Sequence, residues 1–557
     1  MLRLAVSLGA AAMTLAAVTP VFGETSGQFE ERTLSAALEQ AFDNGLVTVI
    51  VPDVRLDVDM LRELYAARDF APLWAAQDDF EADVDALLAV LENADDEGLR
   101  PFDYFSHELA GLMQDRTLSG RVATDLLLSQ AVSRFASDVH RGRFEPRQLS
   151  RDFDFDRRPM ALPDVVLEVA RAGDPGQRLL DYAPDHAGYV EARDILAELR
   201  GVAEDGGWPT VTNHGTVRPG ESSPMIPELR ERLRATGELV DAELTPDADP
   251  LVYDDTLVAA VELYQENRGL AVDGVIGPQT YASLNVTVEE RIDQVIATME
   301  RWRWMPADLG DRYLMVNIPD YELELFDGGN LVRRMDVIVG RADRQTPLFS
   351  SALTYLEFNP TWTVPTSIAV NDFLPRLLED PTYLQQQNIR LYSDWSPGRV
   401  EVPSQFVDWH SVGNGIRSFM LRQDPGPGNS LGRVKFMMAN NFSVYLHDTP
   451  ARSLFYRATR SFSSGCVRLE DPMWLADFLL ADTANWSAAR REGILASGQT
   501  TRVNLVTPMP LHMAYITAWR DDTGVMQLRE DVYGLDRMIA GVIADIRPER
   551  VEIALAN

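Results

Sequence analysis

A single cysteine, Cys466, serves all 557 residues of a chain whose first two dozen residues read as an export signal. Proteins of oxidising compartments ordinarily use their cysteines in pairs. Cys466 has no intramolecular partner, so it is either a buried small hydrophobe or a free reactive thiol. Its surroundings, Ser463-Ser464-Gly465-Cys466-Val467-Arg468, suit a polar turn beside a cationic side chain, a setting that favours the thiolate. A helix starting close to Cys466 would lower the thiol pKa further through its exposed amides and dipole.

The export reading rests on Arg3, the charge-free apolar run Leu4 to Val18, and small residues at Val21-Phe22-Gly23, with Glu24 as the first mature residue. That run is short against the roughly 20 residues that span a bilayer, so a cleaved signal is preferred to a membrane anchor. The length suggests roughly three or four domains, and 45% hydrophobic residues is ordinary for a globular chain. The 51 basic and 85 acidic residues leave a net charge of −34, which argues against nucleic acid as a partner. The seven histidines are scattered, and no Cys/His cluster has zinc spacing.

Up to about residue 200 the pattern is helical. Val84, Leu87, Leu88 and Leu91 form an amphipathic stripe, and Thr124 to His140 carries Leu127, Leu128, Ala131 and Phe135. Residues 201–223 turn to Gly, Pro, Thr, Asn and Ser, as a linker or long loop would. A small helical module follows, in which Asp255 is placed to cap a helix. It then reads Gln265-x3-Gly269-Leu270-x2-Asp273-Gly274-x2-Gly277, with tight turns at the glycines and a last helix starting near Gly277. Thr287-x-x-Glu290 is a capping-box pattern that opens a connector helix. Trp302 and Trp304 near its end read as packing residues rather than sugar platforms.

Beyond Trp304 the period changes to two. Leu314, Val316 and Ile318 alternate, as do Glu322 to Phe326, and Asp327-Gly328-Gly329-Asn330 turns the chain into a returning strand up to Val339. Further strand-like runs are Leu353–Phe358, Lys435–Met438, Val444–Leu446 and Val503–Val506. A long mixed stretch, about 373–432, interrupts them as a lid, a binding loop or a passive excursion.

His447 ends a strand-like run upstream of Cys466. An imidazole there can take the thiol proton and return it to a leaving amine. Backbone N–H groups of Gly465 and Cys466 are placed to hold a tetrahedral oxyanion, worth roughly 3–4 kcal/mol per donor. Arg468 offers a fork of donors for a carboxylate.

His447-Asp448-Thr449-Pro450 followed by Ser463-Ser464-Gly465-Cys466-Val467-Arg468 resembles the signature of bacterial L,D-transpeptidases. Ser464 stands where many members carry a second histidine, as in the large multidomain murein form, which leaves His447 as the base. Similar blocks are Arg301 to Pro306, Gly340-Arg341 with Gln345-Thr346-Pro347, Asn359-Pro360-Thr361-Trp362-Thr363-Val364-Pro365, Asn429 to Arg433 and Ala514 to Trp519. Gly269 to Thr280 resembles a peptidoglycan-binding repeat.

The resemblance implies an α+β multidomain chain: a signal at 1–23, a helical scaffold at 24–222, a helical peptidoglycan-binding module at 223–286 and a connector at 287–311. A mostly β catalytic domain at 312–507, with a capping insertion at about 373–432, and a C-terminal extension at 508–557 complete it. It further implies a periplasmic enzyme that forms 3→3 cross-links between peptidoglycan tetrapeptide stems, releasing D-alanine through a thioester, in the company of other cell-wall synthases. Cys466, His447, Gly465 and Ser464 would be the catalytic set, with Arg468, Tyr445, Trp362 and Asn359 near the substrate and no metal or cofactor. The rival readings are an L,D-carboxypeptidase, a papain-like cysteine peptidase with His512 as base, and an inactive wall-binding scaffold.

Overall fold

The stripe of Val84, Leu87, Leu88 and Leu91 lies buried along a helix, α1 (Phe80–Glu92). In the computed structural model, residues 26–45, 47, 56–74, 80–240 and 249–545 are described; the segment read as an export signal lies outside them. The described chain falls into two compact units. One holds residues up to Arg143, Arg158–Asp185 and Gly541 onward; the other holds Phe144–Arg157 and His186–Ala540. The expected scaffold at 24–222 is thus shared between them.

The first unit is helical. Its long helix α2 (Leu118–Arg141) is capped by Thr117, whose side chain accepts the Gly120 amide, and it buries Leu127, Leu128, Ala131 and Phe135 completely. On the same helix, buried Asp125 accepts the amides of Leu73 and Trp74 at 2.9 Å each, which anchors an irregular segment on the helix without an orphaned amide.

In the second unit, α3 (Ala187–Glu204) packs on α6 (Val288–Trp304). Both bonds of the Thr287–Glu290 capping box are present. Trp302 and Trp304 are buried, as packing residues should be. Between these helices lies the small module, with α4 (Asp255–Asn267) and α5 (Pro278–Leu284). Asp254, not Asp255, caps α4: its carboxylate accepts the Leu257 amide at 3.0 Å. Gln265 explains the spacing after it. Its Oε1 accepts the amides of Asp273 and Gly274, and its Nε2 donates to Asp273, so one buried side chain ties down the turn. The stretch expected as a linker belongs to this module instead: Val211 is in its core and donates its amide to Asn285 Oδ1 at 2.8 Å.

The alternating segments form strands β1 (Arg312–Asn317), β2 (Glu322–Asp327), β3 (Asn330–Gly340), β4 (Leu348–Phe358), β5 (Val434–Met438), β6 (Leu446–His447), β7 (Val467–Leu469) and β8 (Thr501–Ala514). Their order is β4–β8–β1–β2–β3–β7–β6–β5, and β5 pairs back onto β4, so the sheet closes on itself. Closure removes the exposed edges that an open sheet must protect. β8 pairs with β4 and β1 through to Ala514, so the barrel runs past the expected boundary at 507.

The insertion has its own three-stranded sheet, from Trp362–Thr363, Ile389–Tyr392 and Met420–Gln423, and its own core. That core begins at Trp362, ahead of the expected 373. No helix among the described residues is long and apolar enough to cross a membrane.

Gly188 on α3 meets Trp302 on α6 so closely that a Cβ would lie 2.3 Å from Cζ2 of the indole. An ordinary helical Gly→Ala change gains up to about 1 kcal/mol, whereas overpacking costs about 1–3 kcal/mol. Gly188→Ala should therefore lower the denaturation midpoint of this unit, and an unchanged or raised midpoint would mean that the two helices part easily.

Candidate active site

β6 and β7 run parallel, with Leu446 opposite Val467 and His447 opposite Arg468. Leu446, Val467 and Leu469 point to the apolar interior and are fully buried. Strand alternation turns the neighbouring side chains to the other face. His447 and Arg468, with Tyr445 and Cys466 one residue ahead of their strands, therefore share a face as a two-by-two array. The row continues across the sheet, since Lys435 on β5 pairs with His447, and Glu357 on β4 pairs with Lys435. Lys435 is neutralised by Glu357 at 2.9 Å. Arg468 has no ion pair among the described residues, and its Nε is buried without a partner.

His447 is 4% exposed. Its Nδ1 lies 2.5 Å from the carbonyl oxygen of Asp448, an acceptor only, so Nδ1 carries the proton and Nε2 is left as the base. Burial, then the cations of Arg468 and Lys435, push the imidazole down to about 3, against the opposing effect of the Asp448 carbonyl. Asp448 is itself held: its carboxylate accepts the amides of Thr449 at 2.7 Å and Arg433 at 2.8 Å. Gly432 makes this fit possible, because a Cβ there would lie 2.4 Å from Asp448 Cγ and the backbone sits at φ +60°.

Cys466 keeps part of its surface accessible. It lies between a short strand, Ser461–Ser463, and β7. The following helix, α7 (Pro472–Leu479), begins well after Cys466, with Asp471 as its cap. The expected lowering of the thiol pKa by a helix terminus is therefore not realised. Burial instead pushes the thiol up to about 11, and a backbone hydrogen bond from Tyr445 and the charge of Arg468 pull it back only in part. The resting pair is a thiol and a neutral imidazole.

The turn carrying Cys466 is fastened from within. Ser463 Oγ accepts the Gly465 amide at 3.1 Å and donates to the Cys466 carbonyl. This corrects the expected pair of oxyanion donors: the Gly465 N–H is already engaged, which leaves the Cys466 amide. Thr346 Oγ1 donates to the Gly465 carbonyl and accepts the Gly340 amide, both at 2.9 Å. Tyr533 O–H donates to the Gly340 carbonyl at 2.7 Å and accepts the Thr346 amide at 3.2 Å. Ser464 Oγ accepts from Arg344 Nη1 at 3.1 Å, and Arg344 pairs with Asp372 of the insertion.

Two expected substrate residues have structural partners of their own. Asn359, at φ +48°, donates its amide to the Ile494 carbonyl at 2.8 Å and the Gln499 carbonyl at 3.2 Å, so it fastens the end of helix α8 (Ala488–Ser497). Trp362 is in the insertion core, edge-on to Phe373 at 6.2 Å. Tyr445 remains at the site, edge-on to His447 at 5.7 Å and partly packed on the insertion core. His512 is distant in the sheet order, on β8. Its Nδ1 bonds with Ser350 Oγ and its Nε2 donates to the Leu309 carbonyl, so neither nitrogen is free to serve as a base. The supporting groups Asp448, Ser463, Thr346 and Gly432 all sat inside sequence blocks that resemble the family's, but nothing local marked them; Tyr533, Arg344 and Asp372 carried no signal at all.

Residues 311–503 match the family model described as the L,D-transpeptidase catalytic domain, 59–196 the one described as the Scaffold domain, and 222–284 the "Putative peptidoglycan binding domain". A Haemophilus influenzae protein named "Putative L,D-transpeptidase" is 36% identical over 277 residues, which is 49% of this chain and 55% of that one. The chain thus spans about half the length of this relative. Of solved structures, an L,D-transpeptidase from Mycobacterium smegmatis is 12% identical, covering 37% of this chain and 58% of its own, with a TM-score of 0.17. An L,D-transpeptidase from Xylanimonas cellulosilytica (residues 123–326) is 15% identical, covering 54% and 99%, with a TM-score of 0.18. Scores this low carry no argument about the fold, which rests on the topology itself. Residues 311–503 are therefore similar to an L,D-transpeptidase catalytic domain, and together with the match at 222–284 and the Haemophilus relative this supports a multidomain L,D-transpeptidase.

Proposed function

We propose that this chain forms 3→3 cross-links in peptidoglycan, with Cys466 as the nucleophile. The observation that carries the reading is the two-by-two array: a free cysteine, a neutral imidazole with its Nε2 unspent and a guanidinium with no ion pair among the described residues, on one face of the barrel. Substrate binding comes first, with a stem carboxylate on Arg468, the cation left without a partner. His447 Nε2 then takes the thiol proton as the sulfur attacks the carbonyl at the L-centre of the third stem residue. The Cys466 amide faces the developing oxyanion. Collapse expels D-alanine, whose amine takes the proton from His447, and leaves a thioester. The side-chain amine of a second stem attacks that thioester, gives its proton to His447 and restores the thiol. Water as acceptor would make the same site an L,D-carboxypeptidase.

The module at 222–284 supports a wall-bound enzyme, and the apolar segment at 4–18 supports export to the periplasm. The engaged nitrogens of His512 disfavour a papain-like reading.

Incubation with a disaccharide-tetrapeptide should yield cross-linked dimers and free D-alanine. Cys466→Ala should abolish both and His447→Ala should cost about 10²–10⁴ in rate, whereas His512→Ala should act through stability. No product, together with no mass adduct on Cys466 after carbapenem exposure, would leave the inactive scaffold as the better reading.

The buried imidazole also predicts a pH dependence of stability. Between pH 6.5 and about 3 the unfolded chain binds a proton at His447 that the folded chain refuses. The contribution of this group is therefore complete above pH 6.5 and lost as pH falls. Going from pH 7 to 5, the unfolding free energy should drop by about 2 kcal/mol more in the parent than in His447→Gln. Parallel pH dependences in urea unfolding would show that the ring is open to water.

A further inference from the structure

A second polar site lies in the same unit, where α5, α6 and the segment Leu528–Ala540 enclose a cavity of about 380 Å³. That is within the range of small-ligand sites. It contains none of the residues assigned to the active site.

Arg291, on α6, lines this cavity and is 7% exposed. Its guanidinium has no carboxylate partner among the described residues; its one hydrogen bond runs from Nη1 to Gln294 Oε1 at 2.8 Å. Gln294 is locked in turn, because its Nε2 donates to the carbonyls of Thr517 at 3.0 Å and Arg529 at 2.7 Å. The guanidinium is therefore fixed before any ligand arrives, with its Nε–Nη2 edge unspent. Burial, then the neighbouring Arg268 and Arg232, hold it down to about 10 against the opposing pull of Asp536. The other ions around the cavity are largely satisfied. Arg268 pairs with Glu238 at 3.4 Å, Arg529 with Asp320 at 2.6 Å and Asp536 with Arg301 at 2.5 Å. Asp531 accepts the Tyr515 hydroxyl and the amides of Leu535 and Asp536. At the rim, Asp293 and Glu530 are exposed carboxylates with no ion pair among the described residues, and exposed Arg537 stands beside them.

A buried cation ready for two hydrogen bonds, with free carboxylates at the mouth, is complementary to a zwitterion. We propose that this cavity is a second, non-catalytic binding site for an α-amino-acid terminus, whose carboxylate rests on Arg291 and whose ammonium faces Asp293 and Glu530. Resting on the peptidoglycan reading above, it would take the free side-chain end of the diamino acid of a stem, and so hold wall peptide while another stem reacts.

The test is calorimetric titration of full-length Cys466→Ala protein with a soluble tetrapeptide stem bearing a free diamino-acid end, and with the same stem acetylated on that amine. Two stems per chain are expected, one lost with Arg291→Gln and the other with Arg468→Gln. Acetylation, or Asp293→Asn, should weaken the Arg291-dependent event by about tenfold, and the two changes together no further. A stoichiometry in Arg291→Gln equal to that of the parent, whether one stem or two, would overturn the proposal. Should Arg291→Gln not fold, Asp293→Asn decides: an affinity equal to the parent's for both peptides would overturn it. Loss of a site with Arg291→Gln but none with Arg468→Gln would leave this cavity standing and count against the catalytic reading instead.

Discussion

The parallel pairing of Leu446–His447 with Val467–Leu469 is the contact on which the rest depends. It completes the closed sheet between β3 and β5, and it sets the register that puts an imidazole diagonal to a thiol. Because side chains alternate with a period of two, a slip by one residue would bury His447 and Arg468 in the barrel and turn Leu446 and Val467 outward. The four fully buried residues around the pair, Leu446, Val467, Leu469 and Phe436, forbid that slip. Core packing and the geometry of the site are thus one constraint.

The sulfur is positioned by parts of the chain far from it in sequence. Ser463 braces the turn locally, Thr346 holds it from the loop after β3, and Tyr533 holds Thr346 and Gly340 together from beyond β8. Gly340 has room for nothing larger, since a Cβ would lie 2.3 Å from the Arg344 carbonyl oxygen. Such support is what a reacting side chain needs if its attack is to be aimed rather than found by chance.

The pattern of hydrophobic residues made much of this legible. The capping box at Thr287, the hairpin at Asp327 to Asn330 and the helix after Gly277 occur where local chemistry puts them. Cys466, His447 and Arg468 were legible because their types are unusual in their places. What stayed hidden depends on distance in sequence. Asn359 and Trp362 sit in a block rich in polar and aromatic residues, but the partners that make them structural are far along the chain: Ile494, 135 residues on, in one case and the paired strand at Gln423 in the other. The helix expected beside Cys466 starts later because Val467–Leu469 is claimed by the barrel, and Asp471 then caps a helix opened by Pro472. A pairing of that kind overrides any local preference.

The electrostatics of the site reverse the simplest expectation. A thiol beside an arginine was expected to rest as a thiolate, yet burial outweighs one cation and holds the proton on sulfur. The same burial keeps the imidazole neutral, because Arg468 and Lys435 add to the cost of a third positive charge. The pair is consequently uncharged until something compensates Arg468. A bound carboxylate would do that: it removes a repulsion from the imidazolium that must form when the thiol gives up its proton. In the reaction proposed above, Arg468 would both receive the carboxylate and set the cost of proton transfer, since its charge draws the thiol pKa down while disfavouring the imidazolium.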